Sequence, residues 1–303
     1  MARRLSNSAV IALVLLLTAL WGGSDSVAAA VVDPRSAAYI PPAALTFIRF
    51  LVAAMIIVPF AVRARSVPRT WGDVARVVLF AVTGFSVNLH LGYAGLPDSS
   101  ASHSVLIRGF EPVLIAVNAA IFLRERITPA VVVAATLGFG GIFLIMDPVR
   151  VLSGRWQVGD LLIFLSVAVE SGCSIVGRSL LKRYSALTIT AWGLVVGSVI
   201  SLPVAWSDLP KVPWSGATLF ALFYLGVVCT AAGYMVWFVA LERFQASRLA
   251  VSIFLQPVFG VAIAVGLRGE EPHVSALLGG AMVLFGAVTV VVSEWRRAIA
   301  ERA

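Results

Sequence analysis

The segment Ala101–Thr128 carries polar side chains at helical spacing inside an otherwise apolar stretch of the chain. Ser104, Arg108, Glu111 and Asn118 follow i, i+4 and i+7 intervals, so a helix would place all four on one face. Arg108 and Glu111 lie three positions apart and can form an ion pair within that helix. The face could therefore bind a charged or zwitterionic small molecule, or the pair could neutralise itself and join the helix to its neighbours.

Charged residues also occur within other apolar segments, at Asp25, Arg49 and Glu170. A charge at the centre of a spanning helix costs about 2.5–3.5 kcal/mol, so such a residue usually faces the bundle interior or an aqueous cavity. Asp25 and Glu170 have no basic partner in their own segments, and each could pair with Arg49 or Arg108 or exchange protons. We therefore predict Asp25, Glu111 and Glu170 as candidate proton sites. Arg49, placed near the cytoplasmic half of its segment, can extend toward the lipid headgroups, and we do not predict it as a ligand.

Uncharged polar residues extend the candidate site. His90 shares a helical face with Ser86 and Tyr93, and it could bind substrate, relay protons or simply complete a hydrogen-bond network. Tyr234 and Trp237, three positions apart, could line a cavity or anchor their helix at the membrane interface. The predicted substrate pathway comprises Asp25, His90, Tyr93, Arg108, Glu111, Glu170, Tyr234 and Gln256.

The composition that surrounds these residues is that of an integral membrane protein. Hydrophobic residues make up 60% of the chain, charged residues 13%, and the mean hydropathy is +0.97, all far outside the soluble globular range. A spanning helix needs ~20 apolar residues, so 303 residues leave room for about ten spans and for no sizeable soluble domain. The apolar runs predict ten membrane-spanning helices, at 8–30, 42–62, 74–96, 101–123, 129–146, 159–178, 186–205, 216–240, 246–267 and 273–293.

The net charge of +8 comes from basic residues in short loops, which indicates membrane topology and not a nucleic-acid partner. With the N-terminus in the cytoplasm, sixteen basic residues fall inside and five outside. We therefore predict that both termini are cytoplasmic, that the first apolar run is an uncleaved helix, and that the protein lies in a bacterial cell (inner or plasma) membrane. Cys173 and Cys229 both lie in apolar segments, so neither a disulfide framework nor a metal site is predicted.

Part of the chain repeats 145 residues later, where Gln256–Val258 corresponds to Glu111–Val113. Because proline has no backbone N–H and clashes with the preceding turn, Pro112 and Pro257 are predicted to break their helices. An odd number of spans in each copy would invert the second copy relative to the first. The fold class predicted is all-α with two inverted five-helix EamA-like halves, residues 1–147 and 156–294, followed by a cytoplasmic tail, residues 295–303.

Short motifs spread over the whole chain support this prediction: Leu20–Ser24, Leu45–Phe50, Glu111–Val113 followed by Leu123–Arg126, Gly159–Leu162 and Gln256–Val258. With these motifs the chain resembles the drug/metabolite transporter superfamily, in its ten-helix type with two EamA-like repeats. The resemblance implies a proton-coupled or facilitated carrier that often exports amino acids or other small metabolites, and it does not fix the substrate. The family more usually has tryptophan at the position of Glu170 and a neutral residue at that of Asp25, so aromatic recognition sites of relatives are expected to be altered.

The function predicted is secondary transport of a small, amino acid-like metabolite by alternating access, as an exporter, with proton coupling left open. The alternatives are export of cationic drug-like compounds, and a membrane-embedded lipid translocator or enzyme. The sequence shows no phosphate loop, no HExxH-type metal motif and no nucleophile with an organised base, so we expect no enzymatic activity, no catalytic residue, no metal and no cofactor. The expected partners are the small-molecule substrate and the lipid bilayer, without nucleic acid. Glycine-rich surfaces of helices 129–146 and 273–293 would allow close packing within the chain or in a homodimer.

Overall fold

A computed structural model describes residues 6–64, 67–68, 70–99, 101–146, 148–154, 157–259 and 274–300. Within these ranges it does not describe the side chains of residues 25, 101–103, 105, 148, 150–151, 291 and 294–300. Helix is the only regular secondary structure of the described residues. The predicted helix end at residue 267 lies outside them.

Fifteen α-helices, several of them joined end to end, make up the described fold. In chain order they are α1 Asn7–Gly22, α2 Ser24–Val32, α3 Pro42–Arg63, α4 Trp71–Ala81, α5 Val87–Gly95, α6 Ala101–Arg108, α7 Glu111–Phe122, α8 Pro129–Ile145, α9 Pro148–Ser153, α10 Val158–Leu181, α11 Ala186–Ala205, α12 Gly216–Leu222, α13 Gly233–Leu241, α14 Ala246–Ala250 and α15 Val274–Ala300.

Six helical segments are long and apolar enough to cross a membrane: Asn7–Val32, Pro42–Arg63, Trp71–Asp98, Val158–Leu181, Ala186–Ala205 and Gly216–Leu241. Shorter apolar helices cover Pro129–Ile145, Ala246–Phe259 and Val274–Val290. Helices satisfy every backbone polar group internally, which is why apolar segments of this length span a bilayer in this form. The protein is therefore an all-helical integral membrane protein in the part that the structure describes.

The segment predicted as one helix at 101–123 is divided into two. Helix α6 ends at Arg108, Gly109 and Phe110 form a turn, and α7 begins at Glu111 with Pro112 in its first turn. Because Pro112 has no N–H to give to the Arg108 carbonyl, the helical hydrogen-bond ladder stops there. The polar face predicted for residues 104–118 is consequently not continuous.

The corresponding part of the second half is also irregular. Helix α14 gives way to a 3₁₀ segment, Val251–Phe254, and helix resumes over residues 255–259, which include Pro257. Pro257 cannot donate to the carbonyl of Ile253, four residues earlier. Both copies of the repeated proline thus follow a local departure from α-helix.

Two π-helical segments form a second pair of irregularities. One is Val82–Ser86, between α4 and α5, and the other is Phe223–Ala232, between α12 and α13. A shift of 145 residues places the first segment on residues 227–231, inside the second. Such wide turns are rare and occur frequently at functional sites.

Contacts between loops show which segments share one end of the bundle. Asp73, in the first turn of α4, accepts hydrogen bonds from Arg183 Nη1 at 3.0 Å and from the Tyr184 hydroxyl at 2.8 Å. Arg243 lies 3.4 Å from Asn7 Oδ1 at the same end. These are segments that the count of basic residues predicts on the cytoplasmic side.

Glu125 joins the two halves at this end. Its carboxylate accepts from the amides of Ala246 and Ser247, at 3.1 and 3.0 Å, and from the Ser247 hydroxyl at 2.7 Å. The preceding residue, Arg124, has a φ of 56° and turns the chain back so that the Glu125 amide bonds the Ala119 carbonyl. The carboxylate of the first half thereby caps helix α14 of the second.

Helices α8 and α15 pack backbone against backbone. A Cβ atom on Gly141 would lie 2.5 Å from the Gly279 carbonyl oxygen, and one on Gly286 would lie 3.2 Å from the Cα of Ala134. Four positions of the predicted glycine surfaces are therefore used for close packing within one chain.

Candidate functional site

A cavity lies between the two halves and holds about 770 Å³ of space, its open mouth included. Its walls combine opposite charges with aromatic rings. The charged residues are Arg49, Arg108, Glu111 and Glu170; the aromatic ones are Trp21, Tyr93, Tyr234 and Trp237; the remainder are Ser24, Leu89, Cys173, Ser174, Ile253 and Gln256.

Six of the eight predicted pathway residues line this one cavity: Tyr93, Arg108, Glu111, Glu170, Tyr234 and Gln256. The side chain of Asp25 lies outside the described residues, although its neighbour Ser24 is part of the wall. His90 does not belong to the lining, and its Nδ1 lies 2.9 Å from the carbonyl oxygen of Ser86, one turn earlier. The structure therefore brings together most of the predicted site and leaves His90 in a local hydrogen bond.

The other polar residues of segment 101–128 bind neighbouring helices. The Ser104 hydroxyl donates to Ser99 Oγ at 3.0 Å, and Asn118 Nδ2 donates to Ser171 Oγ at 2.8 Å. The break at Gly109–Phe110 turns Arg108 and Glu111 into the cavity wall, whereas Ser104 and Asn118 remain in helix contacts. A Cβ atom on Gly92 would lie only 3.3 Å from Arg108 Nη2, so glycine at this position makes room for the guanidinium.

Arg49 is the main residue of the site that the sequence analysis missed. Its side chain is 6% exposed, and it donates from Nε to Thr230 Oγ1 and from Nη1 to the Tyr93 hydroxyl. The expectation that Arg49 extends to the headgroups is wrong. It lies seven residues after the start of α3 at Pro42 and fourteen before its end at Arg63, about 21 Å from that end at 1.5 Å per residue. That depth within the helix is the signal that could have identified it.

Aromatic residues form a second wall, fixed by their polar atoms. Trp21 Nε1 donates to the Cys229 carbonyl at 2.9 Å, and Trp237 Nε1 donates to Ser174 Oγ at 3.2 Å. The ring centroids of Trp21 and Trp237 are 5.9 Å apart, and those of Trp21 and Tyr234 are 6.1 Å apart. Tyr234 and Trp237 are buried in the bundle, so these two aromatics do not act as interfacial anchors.

Tyr234 connects this wall to both halves. Its hydroxyl lies 3.2 Å from the carbonyl oxygen of Gly84, in the π segment of the first half, and 3.4 Å from Glu170 Oε1. Phe85 packs against the Tyr234 ring, with centroids 4.6 Å apart. The phenol is thus positioned beside a carboxylate and next to a π turn.

A second, adjoining cavity lies where the interrupted helices meet. Pro112 and Pro257 both line it, with Gly22, Ser26, Gly109, Ile142 and Phe254. The two cavities share Trp21, Arg108, Glu111, Ile253 and Gln256. The repeated prolines therefore lie in one space that continues into the charged cavity.

The described lining offers hydrogen-bond donors, acceptors, charges of both signs and aromatic surface. Among the described residues, no group of three or more His, Cys, Asp or Glu side chains could hold a metal ion. The arrangement is suited to holding a small polar or zwitterionic molecule by complementary charge and ring contact.

The sequence model of the EamA-like transporter family matches this chain twice, over residues 8–147 and 157–292. An uncharacterised transporter of Archaeoglobus fulgidus is 28% identical over 84% of this chain and 91% of its own length. A probable terminal-alkyne amino-acid exporter of Streptantibioticus cattleyicolor is 28% identical over 72% of this chain and 73% of its own. A riboflavin transporter of Rhizobium johnstonii is 28% identical over 85% of this chain and 83% of its own.

A crystal structure of one protein chain shares the fold, with a TM-score of 0.76 and 18% identity, over 95% of this chain and 98% of that one. At this identity the likeness concerns the fold alone.

Proposed function

Because the chain belongs to the EamA-like transporter family, we propose that it is a secondary transporter that exports a small, amino acid-like metabolite by alternating access. The observation that carries this proposal is the cavity between the halves, in which Arg49, Arg108, Glu111 and Glu170 face one space walled by aromatic rings. A zwitterion presents both signs of charge to such a wall, and its apolar part can contact the rings. A bacterial cell membrane is the proposed location.

The proposed architecture is ten spans in two inverted halves, with both termini in the cytoplasm. It is supported by reciprocal contacts between α8 and α15, where Gly141 meets Gly279 and Gly286 meets Ala134. Adding the 145-residue offset to Gly141 gives Gly286, and subtracting it from Gly279 gives Ala134, as a two-fold relation requires. The repeated π segments and the double family match agree with it.

Inverted halves around a central site are a recurrent design of secondary transporters, in which one half rocks against the other. The polar contacts between halves at the Asn7 end, through Asp73 and Glu125, would then have to separate when the cavity opens on that side. We include proton coupling through Glu111 or Glu170 in the proposal, because a carboxylate in a transport cavity can bind and release a proton.

The substrate proposal takes support from the name of one relative and competes with that of another. An amino-acid exporter fits the mixed charges of the wall, and a riboflavin transporter fits its aromatic rings. Export of a cationic drug-like compound is a second candidate, because Glu111 and Glu170 both line the cavity.

Proteoliposomes that contain the full-length chain test the proposal directly. Counterflow is measured with leucine, phenylalanine, propargylglycine (a terminal-alkyne amino acid), riboflavin and tetraphenylphosphonium, with protein-free liposomes as control. We expect exchange of at least one amino acid and its loss in the charge-neutral double variant Arg108→Gln, Glu111→Gln. Exchange of riboflavin or of tetraphenylphosphonium alone would contradict the amino-acid proposal, and flipping of labelled phospholipid without any solute exchange would favour a lipid translocator.

A further inference from the structure

The charge of Arg49 has no counterpart in the described protein. Its side chain is 6% exposed, and both of its hydrogen bonds go to hydroxyl oxygens, those of Thr230 and Tyr93. No described carboxylate forms an ion pair with it. A buried guanidinium without an anion is unfavourable, because desolvation is not offset by an opposite charge. The position is therefore incomplete without an anionic group.

The geometry leaves room for that group on the cavity side. A guanidinium has five N–H donors in a planar fork, and Arg49 uses one on Nε and one on Nη1 for protein oxygens. The residue lines the cavity, so its remaining donors adjoin the space that a substrate would occupy. A planar carboxylate can accept two parallel N–H bonds from such a fork, which an ammonium or a neutral ring cannot.

The π segment of the second half fixes the orientation of this guanidinium. Thr230 lies in that segment, and its single hydroxyl hydrogen is donated to the Leu225 carbonyl, five residues earlier, at 2.7 Å. Toward Arg49 the Thr230 oxygen can therefore only accept. Thr230 acts as a positioning residue, and the wide turn explains why its carbonyl partner is five residues away.

We propose that Arg49 is the anion-recognition residue of the cavity, and that it binds the carboxylate of a zwitterionic substrate. This inference rests on the proposed function and names the group that selects within it. Glu170 and Glu111 line the same cavity and would meet the ammonium end of that substrate. A purely cationic compound would leave Arg49 without an anion, so the wall disfavours it.

The test compares ligands that differ only in the carboxylate, on the purified full-length chain and its Arg49 variants. Leucine is paired with isopentylamine and phenylalanine with 2-phenylethylamine, and binding is measured by calorimetry and by counterflow. For Arg49→Gln we expect amino-acid affinity to fall roughly 30-fold or more, the range for removing one partner of a buried charge pair. Affinity for the amines should change much less. Arg49→Lys should fall between, because an ammonium cannot bind a carboxylate through a fork.

Two controls separate recognition from structure. Arg63→Gln removes the same charge from the exposed end of the same helix and should leave both ligand series unchanged. Thermal unfolding provides the second control: Arg49→Gln should unfold at the same or a higher temperature, because it removes an uncompensated buried charge. A markedly lower unfolding temperature would instead give Arg49 a structural role and overturn the inference.

The outcomes for this inference and for the proposed function are distinct. Wild-type transport of amino acids, with equal losses of amino acid and amine in Arg49→Gln or with no loss at all, overturns the role of Arg49 and leaves the transporter proposal standing. A wild-type chain that binds the amines but neither amino acid overturns both the role of Arg49 and the amino-acid substrate. A wild-type chain that moves no solute overturns the proposed function itself, together with the inference that rests on it.

Discussion

Gly84 and Cys173 pack so closely that a methyl group on Gly84 would overlap the Cys173 sulfur and lie 2.9 Å from its Cβ atom. Gly84 belongs to the π segment of the first half, and Cys173 lines the cavity. The same glycine carbonyl accepts from Tyr234, so this contact sets the distance between the π turn and the candidate site.

Gly84→Ala should therefore destabilise the protein by about 1–3 kcal/mol, the usual cost of overpacking a buried contact. The measurement is thermal unfolding of the purified protein in detergent. Cys173→Gly in the same chain should restore part of the loss, because it removes both overlapping atoms. Gly280→Ala, where no atom lies within 4 Å of the new methyl group, is the matched control and should be neutral or slightly stabilising. Equal behaviour of the two glycine variants would refute the contact.

Glu170→Gln keeps the size of the side chain and removes its ability to ionise. If Glu170 carries the coupled proton, uptake driven by a pH gradient should fall to near background while substrate counterflow continues, because counterflow needs no net proton movement. Both assays use the same proteoliposomes. Asp208→Asn, in a loop ion pair with Lys211, is the control and should retain both activities. Unchanged gradient-driven uptake in Glu170→Gln would exclude this residue and direct the same test to Glu111.

Pro112→Ala would allow residue 112 to donate its N–H to the Arg108 carbonyl and so favour a continuous helix across Gly109 and Phe110. Since Pro112 lies in the first turn of α7, stability should change by less than about 1 kcal/mol. Transport should nevertheless fall, because Arg108 and Glu111 would rotate relative to the cavity. Pro59→Ala, at an exposed proline inside α3, serves as control and should leave transport unchanged. The comparison needs counterflow rates and unfolding temperatures of both variants.

Glu125→Ala removes the acceptor of two backbone amides and one hydroxyl at the start of α14. A hydrogen bond to a charged group contributes about 1.5–3 kcal/mol, so amide hydrogen exchange over residues 246–250 should accelerate about tenfold or more. Mass spectrometry of deuterated protein measures this. Arg126→Gln changes an exposed neighbour and should leave the exchange of this segment unaltered. Protection that survives in Glu125→Ala would show that this end of the bundle is held by other contacts.

Local pattern was enough to predict the helical class and much of the candidate site. Arg108, Glu111 and Glu170 were identifiable because a charge inside an apolar helix is too costly to occur without a polar environment. Gln256 was identifiable because it stands where the repeat has Glu111. These arguments need only one segment at a time.

Features that depend on tertiary contacts were not predictable in this way. Arg49 looked like a headgroup contact because nothing in its own helix reveals Tyr93 and Thr230, which come from two other helices. His90 shares a face with Tyr93 by spacing, yet the π turn before it directs its ring to the Ser86 carbonyl. The π segments themselves leave no periodic signal, since one extra residue per turn alters the face of every residue that follows.

The contact of Gly141 with Gly279, and its counterpart between Gly286 and Ala134, has a mechanical consequence. Two helices whose backbones touch without intervening side chains have little freedom to slide or separate. Helices α8 and α15 would then behave as a stationary axle about which the remaining helices swing. A disulfide or spin-label pair placed across this axle should report a constant distance throughout the transport cycle, and so provide a fixed reference for every other movement.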